Sequence, residues 1–338
     1  MKKKFWSVML VAALLGVAGC LGFIAWHIFS DMGAEQVYEE AVNLVAHQQD
    51  ESVHEDESKT DESETGESET DESGTDESVL TIEDIEAVEF TGEREGEEAP
   101  LPADIFSGLN GRIDFNMLNE INPDLVAWIL INDTNIDYPV ARHPIEDDYY
   151  LNHDMYGNPR FAGCPYMRTT NSGDFSDPNT VIYGHNMKSG SMFSSLHYFE
   201  NNIFFDSHPY IYLYAADVIR VYEVFAARFF TDDDLLTVYN FADPVSFQKF
   251  LDDIYNNRSM RNNIRRDVPV TINDRILTLS TCVGGSPGER FLVHGKLLWE
   301  GNEEELAEAQ QKIEEGLLES QSENVVPEAT SGRETEIE

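Results

Sequence analysis

Short apolar runs separated by turn residues fill the middle of the chain, and their spacing is that of strands. Val126–Ile131 and Ile136–Val140 flank the turn signal Asn132-Asp133-Thr134-Asn135. Further runs rich in β-branched and aromatic residues lie at Ala162–Arg168, Thr180–Tyr183, Tyr210–Ala215, Val218–Phe230, Ile276–Cys282 and Phe291–Trp299. About eight strands with few long helices predict a mostly β fold, an eight-stranded barrel closed or nearly closed on itself. Three segments read as helices instead. Phe115–Ile121 lies before Pro123 and precedes the first strand, Met192–Phe199 follows the Thr180–Tyr183 run, and Pro244–Tyr255 is inserted between late strands. In the last of these Pro244 opens the helix, and Val245, Phe247, Phe250, Leu251 and Ile254 approximate one face.

The pattern changes abruptly on either side. Lys2, Lys3 and Lys4 form a basic stub at 1–4, followed by an apolar run at 5–29 broken only by Ser7 and His27. That run is long enough to cross about 30 Å of hydrocarbon as a single transmembrane helix. Positive charge before it and acidic chain after it predict that the C-terminal bulk lies outside the cytoplasm. A cleaved signal is the alternative: Val17-Ala18-Gly19-Cys20 fits a lipoprotein processing site that would leave Cys20 lipidated. Continuation of the apolar run to Phe29 favours the uncleaved anchor. Residues 30–103 then read as an acidic, low-complexity spacer. Within it TDES recurs at 60–63, 70–73 and 75–78, and 21 acidic residues at 51–98 face only Lys59 and Arg94. Like-charge repulsion and low hydrophobicity keep such a segment extended. Residues 104–300 have ordinary globular composition and suffice for one domain. Residues 301–318 carry Leu306, Ala309, Ile313 and Leu317 at helical spacing, which predicts an amphipathic helix capping the domain, and 319–338 read as a disordered acidic tail.

The formal net charge is −42, of which −19 sits in 51–98 and −10 in 301–338. The sign excludes nucleic acid as a partner, since that would need a basic face. No metal site is expected: His143, His153 and His208 are scattered, and no cysteine pair exists. Nor do the residues call for a cofactor. Cys164 reads as a small buried residue on a strand, and with Cys282 as the other cysteine of the domain no structural disulfide is expected.

Candidate chemistry gathers near the end of the domain. Cys282 ends the run Thr278-Leu279-Ser280-Thr281-Cys282 and is followed by a flexible turn, Val283-Gly284-Gly285-Ser286-Pro287-Gly288, which would leave its sulfur at the barrel rim. A thiol attacks as thiolate and needs nearby positive charge. His185, in Tyr183-Gly184-His185-Asn186-Met187, and Arg290, at the start of the next strand, can supply it. The glycine before His185 would let the backbone turn and the ring project, and the guanidinium fork suits a developing oxyanion. Taken singly, a cysteine at a strand end is more often a small buried hydrophobe, a loop histidine a surface residue and a strand-start arginine a solvated cap. Together they point to a nucleophilic enzyme. His294, alternating with apolar neighbours inside a strand, is the runner-up to His185.

These segments, in this order, resemble the sortases, specifically class B. The resemblance is carried by Ile121-Asn122-Pro123-Asp124 leading into Ala127-Trp128-Ile129, by Ile136-Asp137-Tyr138-Pro139-Val140 and by Tyr149-Tyr150-Leu151-Asn152. It continues in Asn179 through Met187 and in the run ending at Cys282 with Arg290 downstream, and so covers about residues 104–300. It implies a sortase-type eight-stranded β-barrel with an N-terminal helix and a helical insertion between late strands. It also implies a cysteine transpeptidase on the surface of a Gram-positive bacterium. On the matching positions Cys282 is the nucleophile, His185 the catalytic histidine and Arg290 the oxyanion-stabilising arginine, while Ser280, Thr281, Tyr183 and Asn152 line the substrate groove. Its partners would be secreted proteins bearing a C-terminal sorting signal of the NPxTx or LPxTG type, cleaved after Thr through a thioacyl enzyme, and an amine of a peptidoglycan precursor or a pilin. A hydrolytic cysteine peptidase and a catalytically silent, tethered binding module are the alternatives; joint retention of Cys282, His185 and Arg290 argues against the second.

Overall fold

The structure is a computed structural model that describes residues 36–43, 101–109, 113–216 and 218–323. The chain divides into two compact units, 1–49 together with 102–338, and 50–101; the architecture below belongs to the first. A helical stretch at 36–43 (α1) and the helix Phe115–Ile121 (α2) precede β1 (Leu125–Leu130), β2 (Asp137–Ala141), β3 (Tyr166–Met167) and β4 (Asn179–Tyr183). A 3-10 helix at Phe193–Glu200 and α3 (Asn202–Ser207) lead to the hairpin β5 (Tyr210–Ala215) and β6 (Val218–Thr231). Next come α4 (Leu235–Val238), α5 (Pro244–Tyr255), β7 (Asn263–Ile264), the pair β8 (Ile276–Val283) and β9 (Ser286–Gly301), and α6 (Glu303–Glu323).

The strands pair in the order β5-β1-β2-β3-β4-β8-β9-β6, and β6 also pairs with β5, so eight strands close into the expected barrel, with the two-residue β7 added beside β6. Closure leaves none of the eight with two free edges. Most joins are antiparallel, but β2–β3 and β4–β8 are parallel. The longest ladder joins β6 to β9 from Ile219↔Gly301 to Thr231↔Glu289, with register shifts at Val221/Tyr222 and Val224/Ala226. Such bulges bend a long strand around a barrel wall. Strand burial is near-continuous rather than alternating, as in β5, where all six residues are buried. Outer faces are covered as well as inner ones.

α5 follows the predicted boundaries. Asp243 caps it by accepting from the Val245 amide, Pro244 occupies its first turn, and Phe247, Phe250, Leu251 and Ile254 pack with Phe225, Leu292 and Ile276 in one cluster. Val245 departs from the expectation. It is 77 % exposed, on the face turned from the barrel.

Other differences have local causes. The predicted strand at Ala162–Arg168 shrinks to Tyr166–Met167: Gly163 has a φ of +63°, a Cβ there would lie 2.4 Å from the Tyr150 carbonyl oxygen, and Pro165 has no N–H for a ladder. Cys164 therefore lies in the loop before β3, buried as expected but off the strand. The helix expected at Met192–Phe199 is a 3-10 helix one residue later, entered through Met192 at a φ of +57° without a side-chain cap. The turn after Cys282 is shorter than the sequence suggests, because β9 already begins at Ser286. α6 runs to Glu323, beyond the predicted end at 318, and starts from a reciprocal cap between Asn302 and Glu305.

The largest revision concerns residues 30–103. α1 is not spacer: Tyr38 is 3 % exposed and Ala41 fully buried. The Tyr38 hydroxyl donates to the Gly163 carbonyl at 2.6 Å, and its ring meets Tyr138 edge-on at 5.2 Å. The apolar run 5–29, Cys20, the repeats at 60–78 and the tail beyond 323 lie outside the described residues, and among the described residues no helix is long and apolar enough to cross a membrane.

Tyr38→Ala should lower unfolding stability by about 3 kcal/mol, since it empties a buried aromatic site and strands the Gly163 carbonyl. A chemical-denaturation midpoint equal to that of the parent would show that α1 does not pack on the barrel.

Candidate active site

Strand β8 leaves the core one residue before its thiol. Ile276 through Thr281 are buried and Cys282 is exposed, so the strand's own course delivers the sulfur to the surface. Directly across the antiparallel ladder from Cys282 stands Arg290. Among the described residues no carboxylate pairs with the Arg290 guanidinium; its hydrogen bond, from Nη1 to the Glu289 carbonyl, is long at 3.4 Å. Its donors are thus available to a ligand.

His185 arrives from the other edge of β8. β4 runs parallel to β8 with Tyr183 beside Ser280, and the following residue is fastened twice: the Gly184 amide donates to the Ser280 carbonyl at 3.0 Å, and Thr281 Oγ1 donates to the Gly184 carbonyl at 2.8 Å. Gly184 serves close packing more than a free turn. A Cβ there would lie 2.6 Å from the Phe193 ring. The His185 ring stacks on Phe161 at 5.5 Å, and its Nε2 lies 2.8 Å from the Leu151 carbonyl oxygen. A carbonyl only accepts, so Nε2 carries the proton and Nδ1 is the nitrogen left to gain or lose one. Burial pushes the ring's pKa below 6.5, partly countered by the Leu151 hydrogen bond.

Cys282, His185 and Arg290 line one cavity of 280 Å³. Ser280, Thr281 and Tyr183 line it too, but not alike. Ser280 is 5 % exposed at its floor, whereas the Thr281 hydroxyl is taken up by Gly184. Tyr183 forms a wall, its ring stacked on Tyr166 and under the Arg168 guanidinium at 4.8 Å. Asn152 is the exception among the expected groove residues. It is exposed at the end of the 3-10 turn Tyr149–Leu151, and its neighbour Leu151 lines the cavity instead.

Several wall residues had no motif to announce them. Asp148 and Asp232 to Asp234 give the cavity an acidic side, and Arg168 bridges Asp148, at 2.9 Å, to Asp234. Leu151 and Phe161 flank His185 from a loop more than twenty residues away in the chain. Of these, Leu151 does fall within a matching segment, Tyr149-Tyr150-Leu151-Asn152, one position before the residue expected at the groove.

His294 is excluded by its surroundings. It is fully buried, with Nδ1 2.9 Å from Thr278 Oγ1 and Nε2 accepting from Arg228 Nε at 3.1 Å, and burial beside that guanidinium keeps it neutral. Cys164 is equally remote. Its Sγ donates to the Pro139 carbonyl, burial pushes the thiol's pKa far up, and both it and Cys282 are free thiols. Among the described residues no group of His, Cys, Asp or Glu side chains could hold a metal ion.

The family model described as the sortase domain matches residues 129–298. Sortase B of Listeria monocytogenes is 33% identical over 196 residues, which span 57% of this chain and 78% of that protein. Sortase B of Staphylococcus aureus is 33% identical over 171 residues, 51% of this chain and 68% of that protein. The crystal structure of Clostridium perfringens sortase B superposes with a TM-score of 0.50 at 31% identity, covering 55% of this chain and 100% of that one.

An imidazole NMR titration should place the His185 midpoint below 6.5. Because the folded value is the lower one, the neutral ring's contribution to stability is present above the unfolded pKa and is lost as pH falls through the folded one. Phe161→Ala, by admitting water to the ring, should raise the midpoint toward 6.5. An unmoved midpoint would contradict the assignment of the shift to burial.

Proposed function

Because the chain belongs to the sortase family, within class B, and is thereby a sortase cysteine transpeptidase, we propose that Cys282 is its nucleophile, His185 its acid and base, and Arg290 its oxyanion-binding group. The observation that carries this assignment is the cross-strand pairing of Cys282 with Arg290 at the mouth of the cavity that His185 also lines. The substrate is a secreted protein with a C-terminal sorting signal of the NPxTx or LPxTG type. The Cys282 thiolate attacks the carbonyl carbon of the signal's threonine, forming a C–S bond, and the oxygen gathers negative charge opposite the Arg290 guanidinium. Collapse of this intermediate breaks the C–N bond, and His185 gives its Nδ1 proton to the departing amine. An amine of a peptidoglycan precursor or pilin then attacks the thioacyl carbon and passes a proton to His185. The new amide forms as the C–S bond breaks and the thiolate returns.

The acceptor must be bound near a thiol that is open to water, so aminolysis competes with hydrolysis throughout. The exposure of Cys282 leaves room for a bulky amine as well as for water. The basic stub at 1–4 and the apolar run at 5–29 support a membrane anchor with the catalytic unit on the outer face of a Gram-positive cell. Protease added to intact cells should then degrade the barrel; full protection would refute that placement.

The full chain, incubated with NPxTx and LPxTG peptides with and without an amine acceptor, should form a thioacyl adduct on Cys282, detectable by mass, and an amide product when the amine is present. Arg290→Lys keeps the charge but loses the fork, and should lower kcat about a hundredfold while still forming adduct. No adduct with any peptide would overturn the reading.

A further inference from the structure

The backbone carbonyl of Cys282 is held by side chains. Asn186 Nδ2 lies 2.9 Å from it and His197 Nε2 3.0 Å, with the two nitrogens 3.1 Å apart. His197 is itself fixed on two further sides: Nδ1 is 2.5 Å from Glu200 Oε1, and the ring stacks on Phe291 at 5.1 Å and 23°. This grip sits where strand pairing fails. The β8–β9 ladder shifts register between Cys282 and Val283, jumping from Cys282↔Arg290 to Val283↔Ser286. At such a bulge backbone groups lose their regular ladder partners.

We propose that His197, held by Glu200 and working with Asn186, is a positioning residue that fixes the Cys282 peptide plane and so aims the thiol. This rests on the reading of Cys282 as nucleophile. A carbonyl and a carboxylate accept and do not donate, which defines two arrangements of the contact. With both ring nitrogens protonated, His197 bridges Glu200 to the Cys282 carbonyl directly. With the proton on Nδ1 alone, Nε2 accepts from Asn186, whose second amide hydrogen still reaches Cys282. Both hold the same peptide plane. The clamp also joins the two sides of the site, because Asn186 follows His185 in the chain. Slack in the Cys282 peptide would shift Sγ relative to His185 and Arg290, which come from other strands, and a misplacement of about 1 Å can cost up to about a hundredfold in rate.

The test uses the full chain carrying His197→Ala, His197→Gln or Asn186→Ala, assayed with an NPxTx peptide beside thermal melts. His197→Ala should lower kcat about tenfold with KM changed less than about twofold, and His197→Gln, whose amide reaches the same carbonyl, should recover most of the loss. Asn186→Ala removes the other donor and gives the same split where the histidine variant melts too low to assay. An unchanged kcat in a folded His197→Ala protein, or a glutamine variant as impaired as the alanine one, overturns the proposal. If the parent turns over no peptide, the functional reading fails separately, and alkylation of Cys282 by iodoacetamide at pH 7, followed on the Cys282 peptide by mass, decides the matter. A rate about threefold lower in His197→Ala and restored in His197→Gln supports the clamp, because a slack peptide no longer holds the sulfur beside Arg290; equal rates overturn it.

Discussion

Strand β8 is hydrogen-bonded along both edges, parallel to β4 and antiparallel to β9, and the site depends on those two ladders. One edge sets Arg290 opposite Cys282, and the other brings Tyr183 beside Ser280 so that His185 emerges just past it. A slip of one residue in either ladder would turn every side chain on that strand to the opposite face and separate the three groups. Register is secured from both faces. Ile276 and Val181 are buried in the cluster beneath α5, and Leu277, Leu279 and Val293 are buried on the opposite face. Packing on both sides of the barrel wall is therefore what aims a polar site at its rim.

The interior is not wholly apolar. Asn179, Thr278, His294 and Arg228 form a buried hydrogen-bonded series across β4, β8, β9 and β6, with Thr278 Oγ1 bonded to both Asn179 Oδ1 and His294 Nδ1. A second buried amide, Asn171, donates to the Asn179 carbonyl and accepts from the Val181 amide. Buried polar groups are costly when unpaired and directional when paired, so such contacts favour one register over its neighbours. The two histidines of the late barrel thus divide their work. His294 is sealed and neutral within this series, while His185 keeps one ring nitrogen clear of its bond to Leu151.

α1 changes the meaning of the acidic segment. Residues 36–43 and the chain from 102 onward belong to one compact unit, so α1 is part of the domain and not of the spacer that the sequence predicts from residue 30. Tyr38 makes this contact durable. Its ring is buried, its hydroxyl reaches the Gly163 carbonyl, and Gly163 lies in a backbone conformation that a side chain could not adopt without striking Tyr150.

Periodicity and local chemistry made much of this legible beforehand. Alternating and continuous apolar runs determined the strand at Tyr210–Ala215 and, to within one residue at its end, the one predicted at Ile276–Cys282, the Asp243-Pro244 start determined α5, and the order of the segments around His185, Cys282 and Arg290 determined the family and its candidate residues. Those are properties of neighbours in sequence, and a sequence records them directly. Tertiary structure alone decided that Leu151 rather than Asn152 faces the cavity, that Phe161 covers His185, that Tyr38 belongs to the barrel, and that Asn186 and His197 hold the Cys282 carbonyl. Each of these joins residues brought together by barrel closure rather than by periodicity. Which partner a tyrosine or a histidine meets across such a distance is set by packing, and packing leaves no local pattern in the chain.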